Sequence, residues 1–406
     1  MAEDAPISTS GGRETVQEIA SDERDAPGAQ IGRPIRTAVV GMSVSRTCGV
    51  RDYAGLLVEA LSRENVSCSE HWLLRGERSL RAGLAEVRAW SRALAAELDE
   101  SQPDAVLLHY SIFAYSYRGF PVFVRPTLSA LRGARIPLVT LMHEFAYPWM
   151  LGGWRGNAWA LAHRALLIDV MRASAAVLVT TDFRAEYLTS RRWLARRPLA
   201  IAPVFSTLPP PVPRARPDRD GSVLGLFGYA YDSHAISLVL DALRLLKERG
   251  SHVRLVLLGA PGRESALAEA WLKAAGARDL TQALSFAGPF AAQDLSNALA
   301  ACDVLLFADT AGPSSRKTTL AGSLASGRPV IAVDGPRTWS ELVELEAARI
   351  VQPSAAALAD AIAALLGDVG LREALGARGR AFAEERMGVA QSATVVTELL
   401  GKVLER

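Results

Sequence analysis

Asp303–Asp334 reads DVLLFADTAGPSSRKTTLAGSLASGRPVIAVD. An apolar run, Asp303–Ala308, has the length and composition of a buried strand. A Gly-Pro-Ser-Ser loop then delivers Arg316 and Lys317 to a helix over Lys317–Ala325. Gly327-Arg328-Pro329 closes the unit and a second apolar strand, Pro329–Val333, follows. A helix N-terminus presents open backbone N–H groups and the positive end of the helix dipole, so an anion is favoured there. Two adjacent cations oppose that dipole unless an anion joins them, and Ser314, Ser315 and Thr318 offer hydroxyl donors. The pattern points to a phosphorylated ligand. Ser and Thr also serve as ordinary helix caps, and exposed cations can reach solvent, so those bland readings stay open. Gly312–Thr318 lacks the Gly-Lys pair of a P-loop.

Around this unit the chain alternates strands and helices twice. The first series runs from the strand at Ile35–Gly41 through strands at Val66–Leu74, Ala105–His109, Leu138–Glu144, Ala176–Thr180 and Leu199–Ala202. Helix-like spacing separates them at Tyr53–Arg63, Leu80–Leu98, Ala158–Ala173 and from Asp182. Pro209, Pro210, Pro211, Pro213 and Pro217 then mark an extended linker. The second series has strands at Leu224–Gly228, Val253–Gly259, Leu284–Gly288, Asp303–Ala308 and Pro329–Val333, with helices between them. The expected class is α/β, two doubly wound Rossmann-like domains facing a cleft. The divisions are a disordered tail at 1–33, an N-terminal domain at 34–203, a linker at 204–222, a C-terminal domain at 223–385, and a last helix at 386–406 that can pack back on the first domain. The tail holds seven acids and three arginines with no apolar periodicity.

Length and composition fit this organisation. The chain has 406 residues, half of them apolar and 22% charged, which is too long for one ordinary core. A net charge of +2 argues neither for nor against nucleic acid, and no nucleic-acid partner is expected. Cys48, Cys68 and Cys302 form neither a zinc spacing nor a disulfide framework, which fits a reducing cytoplasm. The sequence has no apolar run of about 20 residues and no secretory pattern at its start, so a cytoplasmic location is expected.

Four motifs, in this order, carry a resemblance to the GT-B glycosyltransferases, and within them to the retaining family 4. They are Cys48-Gly49-Val50-Arg51-Asp52-Tyr53, Thr140-Leu141-Met142-His143-Glu144, Phe227-Gly228, and Leu324-Ala325-Ser326-Gly327-Arg328-Pro329-Val330. The similarity covers roughly Ile35 to Glu384. It implies a transfer with retention from a nucleoside-diphosphate sugar to a glycan, lipid-linked or small-molecule acceptor. No cofactor or metal is implied, since the nucleotide-sugar is a substrate. His143 and Glu144 take the catalytic positions, with Gly49 in the cleft loop. Arg316, Lys317, Ser314, Ser315, Thr318, Gly228 and His234 fall on the donor side.

The sequence departs from the family in the donor site. Tyr229 and His234 stand where an Arg and a Lys usually hold the diphosphate, and Ser314 and Gly322 where two glutamates hold the sugar and ribose. The expectation is that Arg316 and Lys317 have taken over the diphosphate. Two alternatives follow: a catalytically degenerate partner subunit, and a GT-B sugar-nucleotide epimerase. His143 can also be a satisfied strand-capping histidine, Glu144 a solvated charge, and Gly49 an ordinary turn. Arg191-Arg192-Trp193-Leu194-Ala195-Arg196-Arg197 reads as a solvated helix end or as a peripheral contact with an anionic membrane. The aromatic run Tyr110–Tyr117 reads as an acceptor platform or as core. Asp218-Arg219-Asp220 offers a cation too few ligands by itself.

Overall fold

A computed structural model describes residues 33–405 apart from 46–47, 77–78, 147, 151, 213–220 and 260–261. The proposed tail, Pro213, Pro217 and Asp218-Arg219-Asp220 therefore lie outside the described residues. The first sheet contains β1 (Ile35–Ser43), β2 (Val66–Leu74), β3 (Ala105–Ser111), β4 (Leu138–Glu144), β5 (Ala176–Val179) and β6 (Leu199–Ile201). Its order is β2-β1-β3-β4-β5-β6, and every pair is parallel. Between the strands run α1 (Gly49–Arg63), α2 (Leu80–Ser101), α3 (Val124–Gly133), α4 (Gly153–Ala173) and α5 (Asp182–Ser190). β3 is buried at all seven positions, as a central parallel strand covered on both faces must be.

The second sheet contains β7 (Ser222–Phe227), β8 (Val253–Leu258), β9 (Leu284–Ala287), β10 (Val304–Phe307), β11 (Val330–Val333) and β12 (Arg349–Val351). Its order, β12-β11-β10-β7-β8-β9, reverses direction between β7 and β10. Such a reversal opens a crevice at the carboxyl ends of the two strands, where open α/β sheets place ligands. α6 (Ser233–Glu248), α7 (Ala266–Gly276), α8 (Ala292–Ala300), α9 (Thr318–Ala325), α10 (Ser340–Glu344), α11 (Ala355–Gly367) and α12 (Val369–Arg386) surround it. Both sheets belong to one compact unit from Pro34 onward.

Each sheet has an apolar cluster on either face. The last helix, α13 (Val389–Leu404), joins the first sheet rather than the second. Its Val396, Leu399, Leu400 and Val403 bury against Tyr53, Leu57 and Leu61 of α1 and against Leu107 and Val139 of the sheet. Burying side chains of this size is worth about 1.5–3 kcal/mol each before entropy is subtracted. Ser392 Oγ also donates to the Pro203 carbonyl at 2.7 Å. The polypeptide thus passes from the first half to the second after β6 and returns near Gly388.

α10 and β12 do not figure in the sequence reading. Both are short, five and three residues, and neither carries a full period of apolar spacing. The last helix, expected over 386–406, is α13, and it parts from α12 at Met387-Gly388.

Candidate active site

The first half contributes the carboxyl ends of β1, β3, β4 and β5. His143, at the end of β4, places Nε2 3.1 Å from Nδ1 of His109 on the neighbouring β3. Their rings stack with centroids 5.3 Å apart, and the Tyr53 ring meets His143 edge-on at 5.2 Å. Burial pulls the His109 pKa down from 6.5 to about 3. Burial, then His109 and Arg184, lower that of His143 well below its ordinary value. Both imidazoles are neutral near pH 7, so one donates and the other accepts. His109 Nε2 has no hydrogen-bond partner among the described residues.

Arg184, third in α5, anchors this wall. It is 8% exposed. Its Nη1 donates to the His143 carbonyl and, at 3.0 Å, to Thr180 Oγ1. Glu144 is half-buried beside it and supports its charge. Gly49 opens α1. A Cβ built there meets no atom within 4 Å. No protein contact demands glycine at this position, and the space in front of it belongs to the cleft.

The second half contributes the loop from Ala308 to Lys317 and the start of α9. No side chain caps α9, so its first-turn N–H groups are free to meet a ligand. The start of α6 differs: Asp232 accepts from Ala235 N at 2.8 Å and places a carboxylate there. An anion is therefore favoured at α9 and opposed at α6. Lys317 Nζ lies 2.6 Å from Asp309 Oδ2, so one of the two loop cations already has a carboxylate. Arg316 has no ion pair among the described residues.

Two cavities meet at this loop. One, of about 490 Å³, lies between the halves and is lined by Gly49, His143, Glu144, Arg184, Arg316 and Thr318, among others. The other, of about 450 Å³, lies at the β7/β10 reversal and is lined by Gly228, Asp309, Arg316, Lys317, Thr318 and Thr319, among others. Arg316, Lys317 and Thr318 form the wall common to both. Gly228 has φ +70°, and a Cβ there would stand 2.9 Å from Thr319 Cγ2, so the turn after β7 requires glycine.

Gly49, His143, Glu144, Gly228, Arg316, Lys317 and Thr318 are thus brought together. His234 is not: it sits exposed on the first turn of α6, outside the lining of both cavities. Ser314 and Ser315 are buried, and Ser315 Oγ donates to the Thr180 carbonyl at 3.3 Å, tying the halves together instead of facing a phosphate. Tyr229 turns into the core, where its hydroxyl accepts from Gly262 N at 2.6 Å. At Gly322 a Cβ would approach Phe227 Cε1 to 2.9 Å and Leu208 to 3.3 Å, so no side chain at 322 reaches a ligand without displacing these two.

Elsewhere, Arg197 donates to the Met171 and Arg172 carbonyls at 3.1 Å, closing the end of α4. Arg191 lies over the Tyr187 ring at 4.8 Å. Tyr110 and Tyr115 are core, whereas Phe113 is exposed. Among the described residues no three His, Cys, Asp or Glu side chains gather as a metal site. No described helix is long and apolar enough to cross a membrane. His109, Arg184 and Asp309 escaped the sequence reading. Arg184 had a signal, a cation in the first turn of the helix after a buried strand, whereas His109 read only as the end of one.

Residues 221–368 match the family described as glycosyl transferases group 1. No curated protein matches the sequence. Among solved structures, sucrose-phosphate synthase from Thermosynechococcus elongatus superposes with a TM-score of 0.67 at 15% identity, covering 91% of this chain and 99% of its own. HepE from Anabaena, in complex with UDP and glucose, gives 0.63 at 16% identity over 91% of this chain and 100% of its own. UDP-GlcNAc 2-epimerase from Neisseria meningitidis, bound to UDP-GlcNAc, gives 0.55 at 11% over 91% and 100%. At these identities the likeness is one of fold. Two parallel six-stranded sheets with their ligand ends facing one cleft give this chain the GT-B fold, and residues 221–368 of its second half match the group 1 glycosyl transferases.

Proposed function

We propose that the chain transfers a sugar, with retention and without a metal, from a nucleoside-diphosphate sugar to an acceptor held by the first half. The observation that carries this reading is the shared wall: the uncapped start of α9 with Arg316 and Lys317, facing His143, Glu144 and Gly49 across the cleft. Transfer leaves a nucleoside diphosphate whose charge must be stabilised. Fixed cations and helix-end N–H donors do this without reorganising as the bond breaks. Arg316, Lys317 and the first turn of α9 take that part.

His143, neutral through burial, serves as a hydrogen-bond partner for the donor sugar and not as an imidazolium. Glu144 accepts from an acceptor hydroxyl. The attacking hydroxyl enters on the face the diphosphate leaves, and the diphosphate takes its proton. Closure about the proline-rich crossing would bring the Gly49 loop over the donor. Nucleotide-sugars bound to HepE and to the epimerase support the ligand class.

One observation favours a second reading, a partner subunit that has kept the fold and lost turnover. Two of the usual donor anchor points are altered: Phe227 fills the space that a side chain at 322 would need, and the start of α6, where the diphosphate usually binds, carries the Asp232 carboxylate. Incubating the purified protein with a panel of nucleotide-sugars separates the readings. Slow hydrolysis of one donor supports transfer, and an epimerised donor supports the epimerase alternative. A panel with no binding at all would leave the partner-subunit reading.

A further inference from the structure

A buried guanidinium requires compensation, and Arg184 finds little within the protein. Its Nη1 acceptors, the His143 carbonyl and Thr180 Oγ1, are both neutral. Nε and Nη2 have no partner among the described residues, and the side chain lines the cavity between the halves. The Phe145 ring covers it at 5.9 Å. The charges facing it are Arg316 before α9, Arg337 after β11, and Glu144 from the end of β4. Only the last favours its charge. Arg337 is held in place by its own contacts, its guanidinium 5.1 Å from the Phe183 ring and its N–H donating to the Ala311 carbonyl at 2.8 Å. Burial and then Arg316 bring the Arg184 pKa down to about 10, so it stays protonated near pH 7. Arg184 and Arg316 therefore line the same cavity, with Arg337 adding a third like charge from beside Phe183 and Glu144 the one carboxylate that favours Arg184.

We propose that Arg184, with Arg316 and Arg337 around it, is a subsite for an oxyanion on the acceptor, so that the acceptor carries a phosphate or a carboxylate group. The assignment to the acceptor rests on the functional reading above, in which the first half holds that substrate. Arg184 stands on the first-half wall beside Glu144, whereas the open N–H groups proposed for the donor diphosphate belong to α9 on the other wall. A planar guanidinium with two unengaged nitrogens matches the bidentate geometry of either oxyanion.

The test is calorimetric titration with inorganic phosphate and, separately, acetate. Each is added to nucleotide-free protein and to protein saturated with whichever of ADP, GDP or UDP binds. Phosphate or acetate should bind the nucleotide-saturated protein, the stronger of the two indicating which group the acceptor carries. Arg184→Gln should weaken that binding by about tenfold or more, the loss expected for one charge-assisted hydrogen-bonding partner. Arg184→Lys should weaken it less, with nucleoside-diphosphate affinity within about twofold in both variants. Loss of nucleoside-diphosphate affinity together with oxyanion affinity would place Arg184 in the donor site and overturn the proposal. So would a wild-type protein that binds neither anion at low salt. If no nucleotide binds, the functional reading fails, while the nucleotide-free titrations still report whether the oxyanion subsite exists. Should Arg184→Gln fail to fold, Arg337→Gln decides: weaker anion binding supports the subsite and unchanged binding refutes it.

Discussion

The His109–His143 pair makes acid stability a quantitative test of the cleft. Both rings are neutral in the folded chain because burial disfavours their charged forms. In the unfolded chain each titrates at the ordinary 6.5, whereas folded His109 titrates at about 3. Between those values the unfolded state binds a proton that the folded state does not. Stability is therefore fully present above pH 6.5 and is lost as pH falls, at about 1.4 kcal/mol per pH unit for each histidine. Going from pH 7.5 to pH 5.0 crosses about 1.5 units of that window (6.5 − 5.0), so His109 alone removes about 2 kcal/mol. His143 acts in the same direction. The assay is urea denaturation at pH 7.5, 6.0 and 5.0 on wild type and on His109→Gln, which cannot titrate. The variant should show a shallower loss, with about 2 kcal/mol less pH dependence over the range. Equal pH dependence in the two proteins would refute the claim that His109 is held neutral.

Further outcomes follow from the same contacts. Gly49→Ala should fold with unchanged thermal stability, since its Cβ meets no protein atom, yet should lower nucleotide-sugar turnover about tenfold or more by filling the cleft; the comparison is a melting curve beside a hydrolysis assay. Gly322→Glu, which restores the family's usual residue, should cost about 2 kcal/mol or more in urea unfolding and bring no gain in nucleotide affinity, because Phe227 occupies the space. Asp309→Asn should release Lys317 and tighten nucleoside-diphosphate binding about three- to fivefold at low salt, as measured by calorimetry, this being the scale of a partly exposed ion pair. The amide oxygen can keep the bond from Ala311 N.

The fold was legible because its signals are local. Asp303–Asp334 shows a buried strand, a loop with a helix start, and a second strand within 32 residues, and the same alternation recurs on either side of the prolines. The order of the strands is not local, and it is the reversal between β7 and β10 that sets Gly228 beside Arg316. Within the site, residues adjoining a motif were found and those reaching in from another element were not. Arg184 comes from α5, and its meaning depends on Arg316, which lies 132 positions later in the chain. Asp309 was visible only as the residue after a strand, and its pairing with Lys317 needs the loop between them to fold back. Ser315 reads as a phosphate ligand by type, but the turn buries it against Thr180. Residue chemistry suggested the ligand class. Which hydroxyls and cations were free to use it depended on packing between the halves.

The proposed function puts the diphosphate at the start of α9 and not at α6. Calorimetric titration with ADP, GDP and UDP of the wild type, Arg316→Ala, Lys317→Ala and His234→Ala tests it most directly. One nucleotide should bind the wild type; Arg316→Ala should weaken it about tenfold or more, Lys317→Ala should weaken it less because Asp309 already shares that charge, and His234→Ala should leave it unchanged. Normal nucleotide binding by both the Arg316 and Lys317 variants, or its loss in His234→Ala alone, would contradict it.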